Sequence, residues 1–239
     1  MQPSHWLFAV AGSTFSWMAP ALAADAVGNG NGFNYYVQEV APDRHRRTSG
    51  GVERFTLKAG DCAWRWNDRL SEDCEEHRER VEVRSLTEDK VGEVVCYRFD
   101  LLLPADYPEM SPKQLLGQWH NGRDNTFRNR YERGVFEVGI SYQGRLTHRV
   151  RVPFQKGRWN SFVYRFSWTR IGSAEVWLDG RKVADFKDVR LLPGRTESVY
   201  FKYGIYRSDM DDYRGAAPTQ SASYRNVARF TGLKCRGAS

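Results

Sequence analysis

Three short stretches of this 239-residue chain set proton-transfer and anion-binding side chains at alternate positions. They are Arg80-Val81-Glu82-Val83-Arg84, Gln118-Trp119-His120 and Tyr200-Phe201-Lys202-Tyr203-Gly204-Ile205-Tyr206. Guanidinium groups hold carboxylates as planar forks, a glutamine amide donates and accepts, and histidine or tyrosine moves protons. A cation beside Tyr206, whether Arg80, Arg84 or Lys202, would favour its phenolate. Together these groups could neutralise an anionic substrate and shuttle a proton at it. Glu82 would orient Arg80 and Arg84 rather than react.

The chemistry requires strands. Successive strand side chains point to opposite faces. Val81, Val83, Trp119, Phe201, Tyr203 and Ile205 therefore form apolar faces, while Arg80, Glu82, Arg84, Gln118, His120, Tyr200, Lys202 and Tyr206 form polar ones. Gly204 would leave room for a ligand to lie across its strand. Period-two segments recur at 91–104, 134–142, 146–154, 160–168, 173–186 and 223–233. Asp179-Gly180 marks a hairpin turn. No stretch sustains a helical period. Many short strands between turns predict an all-β fold, a two-sheet jelly-roll sandwich of concanavalin A type with the ligand on a concave sheet face.

The chain begins with an apolar stretch from Trp6 to Met18, followed by Pro20 and Ala21-Leu22-Ala23-Ala24. This pattern predicts a signal peptide over 1–24, although the segment before the apolar stretch carries only His5 in place of Lys or Arg. The remaining residues, 25–239, contain no repeat or linker and predict one domain. No run is long enough for a membrane span. A secreted or periplasmic monomer is expected. Four cysteines in an exported chain favour disulfides. Of the three pairings, Cys62 with Cys74 closes a short loop, leaving Cys96 with Cys235. No cysteine or histidine spacing suggests zinc, and other metal ligands cannot be assigned.

The net charge of +7 suits a polyanion. No nucleic-acid-binding signature is present, so an acidic polysaccharide is the expected partner. The segment 121–134, read as a loop, adds Arg123, Arg128 and Arg130, which could hold carboxylates of neighbouring sugars. A glycoside hydrolase would need two carboxylates facing one bond. Glu72, Asp73, Glu75 and Glu76 instead crowd around Cys74. A non-catalytic lectin-like module would keep the cations without needing Tyr206, Gln118 and His120 together.

In order and internal spacing, "RVEVR", "QWH" and "YFKYGIY" resemble the three signature strands of β-jelly-roll polysaccharide lyases, over about Val52 to Cys235. The stretches around Cys62–Arg84 and Phe201–Ser208 are most similar to the glucuronan and heparin-lyase-like branch. Arg207 and Ser208 stand where alginate lyases often carry Asn-Gln, and Trp119 replaces an aliphatic residue; both weigh against alginate. The resemblance implies β-elimination on a uronate polysaccharide. Tyr206, His120, Gln118 and Arg80 would be catalytic, and Arg84, Lys202, Glu82, Tyr200 and the three segment arginines would bind substrate. It implies no cofactor for the chemistry, and any calcium would be structural.

Overall fold

The computed structural model describes residues 27–28, 34–66, 69–109, 113–213 and 217–232. The expected signal peptide and Cys235 lie outside the described residues. Among the described residues, seventeen strands alternate with turns, and a 3-10 turn spans Met210–Asp212. No helix among the described residues is long and apolar enough to cross a membrane.

The first sheet contains β1 (Val27–Gly28), β2 (Asn34–Gln38), β7 (Glu79–Lys90), β9 (Gln114–His120), β10 (Asn125–Glu132), β11 (Val135–Tyr142), β12 (Arg145–Val152) and β16 (Ser198–Arg207). Its order is β1-β2-β7-β16-β9-β10-β11-β12, antiparallel throughout. The second sheet contains β3 (His45–Arg47), β4 (Glu53–Leu57), β8 (Val94–Leu102), β13 (Asn160–Ser167), β14 (Ile171–Leu178), β15 (Arg181–Arg190) and β17 (Gln220–Thr231). Its order is β15-β14-β13-β8-β17-β4-β3. A ribbon of β5 (Arg65–Trp66) and β6 (Arg69–Leu70) lies between β4 and β7 in the chain. The fold is the jelly-roll sandwich the periodicity predicts.

The inward faces explain why these sequences pair. Trp119 of β9 stacks on Phe201 of β16 with centroids 4.5 Å apart. The same indole reaches Tyr164 and Phe166 of β13, at 4.7 and 4.8 Å, and so joins the two sheets. Burying such rings removes large apolar areas from water. Because neighbouring strand residues face opposite sides, burying Trp119, Phe201 and Ile205 aims His120, Gln118, Lys202 and Tyr206 at the opposite face of the first sheet. The Asp179-Gly180 hairpin forms with both residues at positive φ, 50° and 78°, as a tight primed turn needs.

Two expectations are corrected. Much of the presumed loop 121–134 is a strand, β10, which continues the first sheet beyond β9. Its inward residues Phe127, Asn129 and Tyr131 are buried, while Arg128 and Arg130 alternate outward. Gly204 does not make room for a ligand. A Cβ there would come within 2.3 Å of the Val81 carbonyl and 3.1 Å of Phe55, and its φ is +132°. The glycine admits the backbone of β7.

Candidate active site

Strands β7, β16 and β9 are neighbours, so the three sequence stretches meet side by side. Tyr206 lies opposite Arg80 in the β16–β7 register, and Lys202 lies between Arg84 of β7 and Gln118 of β9. Tyr200 pairs with His120. Two connected lobes of about 320 and 370 Å³ open over this surface, both walled by Arg78, Arg80, His120 and Lys202. Tyr200, Arg84 and Tyr36 line the first, while Gln118, Tyr206, Arg123 and Arg128 line the second.

Glu82, fully buried, anchors the centre. It accepts a hydrogen bond from Gln118 Nε2 at 2.7 Å and pairs with Lys202 Nζ at 2.7 Å and Arg80 at 3.4 Å. The expectation that Glu82 orients both arginines therefore holds for Arg80 and is corrected for Arg84. Arg84 lies 3.9 Å above the Tyr200 ring and pairs with Glu88 at 3.4 Å. The Arg80 guanidinium sits 4.8 Å from the Tyr206 ring centroid and is held by Asp73 at 2.5 Å.

Burial dominates the proton equilibria. Lys202 is pushed down to about 8, first by burial and then by the Arg80 charge, with Glu82 opposing. His120 is pushed down to about 3 by burial, with Lys202, Arg80 and Arg84 adding to the effect. Its ring is neutral at ordinary pH. Tyr206 moves the opposite way from the expected phenolate: burial raises it, and Arg80 and Arg78 only partly offset that. In a low-dielectric setting the cost of desolvating a phenolate exceeds the help from two cations that are themselves paired with carboxylates.

The arginines of β10 part company. Arg128 lies opposite Gln118, lines the groove, and has a buried Nε without a partner. No ion pair holds its guanidinium among the described residues. Burial and the adjacent Arg130 charge lower its pKa. Arg130 pairs with Glu132, and Arg123 lies at the rim. Arg207, fully buried, bonds Glu79 and the Gln220 and Pro218 oxygens, so it ties β16 to its surroundings beneath the groove.

Cys62 and Cys74 form the expected disulfide. Cys96 is also disulfide-bonded, while Cys235, its expected partner, is beyond the described residues. Among the described residues, no group of three or more His, Cys, Asp or Glu could hold a metal ion. Arg78, Tyr36 and Asp73 are among the groove residues that the sequence-based expectation did not include. Arg78 continues the alternate spacing of Arg80, Glu82 and Arg84, a signal that was present. Tyr36 and Asp73 reach the groove through strand pairing and loop closure, which spacing does not encode.

The groove sets paired cations, a tyrosine and a neutral histidine side by side on a jelly-roll sheet, groups able to hold an anion and move a proton. A polysaccharide lyase family model matches residues 26–227, and the chain belongs to that family. No curated protein matches it by sequence. In fold it is similar to the endo-β-1,4-glucuronan lyase of the fungus Trichoderma reesei, with a TM-score of 0.59, 18% identity, and coverage of 83% of this chain and 88% of that one. It is also similar to an alginate lyase of Corynebacterium sp., with a TM-score of 0.59, 14% identity and coverage of 81% and 83%. The family 7 alginate lyase AlyA1 of Zobellia galactanivorans gives 0.55, 14%, 90% and 86%.

Proposed function

We propose that this polysaccharide lyase cleaves a uronic-acid polymer, glucuronan-like in its linkage, by β-elimination that leaves an unsaturated uronate end. The observation that carries the reading is the meeting of Tyr206, Arg80, Gln118 and His120 in one groove that also holds the unpaired Arg128. Removing H5 beside a C6 carboxylate is difficult because charge accumulates there. Donors aimed at that carboxylate stabilise the enolate-like intermediate. Gln118 gives one N–H to Glu82 and keeps a second for substrate, and Arg80 offers its fork.

Tyr206 is the proton carrier in this reading. In β-1,4-linked glucuronate, H5 and O4 lie on the same side, so one residue can take the first proton and return it to the leaving oxygen. His120 fits a different part. Its Nδ1 accepts from the Gly122 N–H at 3.0 Å, so the neutral ring carries its hydrogen on Nε2. That makes it a donor to the carboxylate rather than a base. Arg84, Lys202, Tyr200, Arg123 and Arg128 bind the chain, and Glu82 organises the centre. Because the resting Tyr206 is a phenol, turnover should climb as pH rises above neutral. The chemistry needs no cofactor, and any calcium would be structural. The N-terminal signal pattern and the Cys62–Cys74 bridge support export, and the proposed working unit is a monomer.

The test is a panel of glucuronan, alginate and heparin-like chains, read by ultraviolet absorbance of the unsaturated product. Glucuronan should be turned over fastest. Tyr206→Phe should lose about 10²–10⁴-fold in turnover while still binding polymer, since its ring packing survives. Retained turnover in Tyr206→Phe would refute the assignment. Binding without any unsaturated product in the wild type would refute elimination itself.

A further inference from the structure

Two of the contacts that hold Arg80 come from the residues that immediately precede the two bridged cysteines. Asp61 precedes Cys62, and its carbonyl accepts the Arg80 backbone N–H at 2.9 Å. Asp73 precedes Cys74, and its carboxylate takes the Arg80 guanidinium at 2.5 Å. The Cys62–Cys74 disulfide therefore fixes the spacing of the two anchors. Asp61 is itself immobilised, since its carboxylate accepts from Lys58 N at 2.7 Å and Arg44 Nε at 2.6 Å. Asp73 is 1% exposed, and its own carbonyl accepts from Arg78 N at 2.7 Å.

The side chain so held presents one face to the Tyr206 ring, 4.8 Å away. The Asp73 contact is the closer of the two carboxylate contacts, since Glu82 lies at 3.4 Å and also serves Lys202 and Gln118. A guanidinium must match a carboxylate's plane to bond it with two parallel contacts, so a small swing of Arg80 removes one of them. We infer that Asp73 is a positioning residue, and that the Cys62–Cys74 bridge acts through it to set the angle at which Arg80 meets the substrate carboxylate. The bridge is then part of the groove's working geometry, and opening it lowers turnover before it unfolds the sandwich. The inference rests on the proposed role of Arg80 toward a uronate.

The experiment is a double-mutant cycle with Asp73→Ala and Arg80→Met, supported by Asp73→Asn, on the full-length oxidised protein. Thermal unfolding confirms that each variant is folded. Asp73→Ala should lower kcat/KM on the preferred polyuronate by about tenfold to a hundredfold, mostly in kcat. In the Arg80→Met background it should cost little more, since a residue that acts through Arg80 has nothing left to position. Asp73→Asn, which keeps an acceptor oxygen, should recover part of the loss. Double replacement of Cys62 and Cys74 by alanine should resemble Asp73→Ala and add little to it.

A second readout needs no turnover. The Arg80 Nε–H resonance, identified by its loss in Arg80→Met, should exchange slowly in the wild type and faster in Asp73→Ala and in the reduced protein. Full additivity in the cycle, or an Arg80 resonance unchanged by Asp73→Ala, would overturn the inference. A wild type that makes no unsaturated product would instead sink the proposed function, while the resonance would still report on Asp73.

Discussion

Strand β7 carries two fully buried carboxylates, Glu82 and Asp89, which face opposite sides of the first sheet. Asp89 points inward. It accepts from Tyr97 Oη and Trp168 Nε1, each at 2.8 Å, and from Arg229 Nε at 2.7 Å. All three donors come from the second sheet or the turn that follows β13, so Asp89 ties one layer to the other. Glu82 points to the groove, and its partners Gln118, Lys202 and Arg80 all belong to the first sheet. Those partners spend one polar contact on Glu82 and turn toward the groove. A buried carboxylate can thus serve either the fold or the site. What decides is where the far ends of its donors lead.

The largest effect expected from breaking this contrast is on stability. Asp89→Ala leaves Arg229 only the partly exposed Glu93 at 3.6 Å and takes the acceptor from Tyr97 and Trp168, and removing one partner of a buried pair typically costs about 3–5 kcal/mol. Urea unfolding should record that loss, while the molecules still folded should turn over substrate at nearly the wild-type rate. Glu82→Gln should do the reverse. It keeps the volume and an acceptor, but frees Lys202 and Arg80 to move and lets the Gln118 amide rotate. Turnover should fall about 10²-fold, the scale of one misplaced oxyanion donor, with a smaller shift in the urea midpoint. Equal midpoint losses in the two variants, with turnover spared in Glu82→Gln, would erase the distinction.

The same contrast explains what could be read from the sequence. Strands β9 and β16 were legible in extent, because over the stretches around Trp119 and Phe201 each sets apolar and polar residues at alternate positions and the core demands that register. Strand β10 alternates as well, but Asn129 occupies a core position and two arginines face out, so it resembled a loop. The site residues on alternating strands were legible for the same reason as the strands. Which strands are neighbours is a non-local fact. Without it, the bond from Gln118 to Glu82 could not be foreseen, nor the diversion of Arg84 to Tyr200 and Glu88. Gly204 was misread because a missing side chain does not say which neighbour needs the space. The phenolate was misread because the cations were visible in the sequence and the burial was not.

Arg128 sharpens the comparison from the other side, as a groove cation that no carboxylate holds among the described residues. Its removal should cost binding without costing structure. Arg128→Ala should raise KM for polyuronate about tenfold, equivalent to about 1.4 kcal/mol, with an unchanged or slightly higher urea midpoint. Steady-state kinetics at fixed ionic strength would check this. A fall in kcat with KM unchanged would assign Arg128 to the reacting sugar instead.

The smallest effect concerns pH, and it separates the two carboxylate clusters because only one contains a cation that titrates in the accessible range. Burial holds Lys202 down to about 8 from its ordinary 10.5, whereas Arg229 beside Asp89 is raised above the usual arginine value, with Asp89 outweighing the effect of burial. Between those two lysine values the unfolded chain binds more protons at this position than the folded one, so stability must rise with pH through that window. The slope is at most about 1.4 kcal/mol per pH unit, and about 1 kcal/mol is expected between pH 8 and 9. Buried tyrosines reverse the trend higher up. Tyr97 and Tyr203 are raised well above 10, chiefly by burial, so the unfolded chain loses their protons first and stability falls above about pH 10. The urea midpoint of the wild type should therefore climb from pH 8 to pH 9 and decline beyond 10. Lys202→Met should flatten the climb and leave the decline. A wild-type midpoint that falls between pH 8 and 9 would mean that Glu82 holds Lys202 charged against its burial, and that the cluster is as fixed in charge as the one around Asp89.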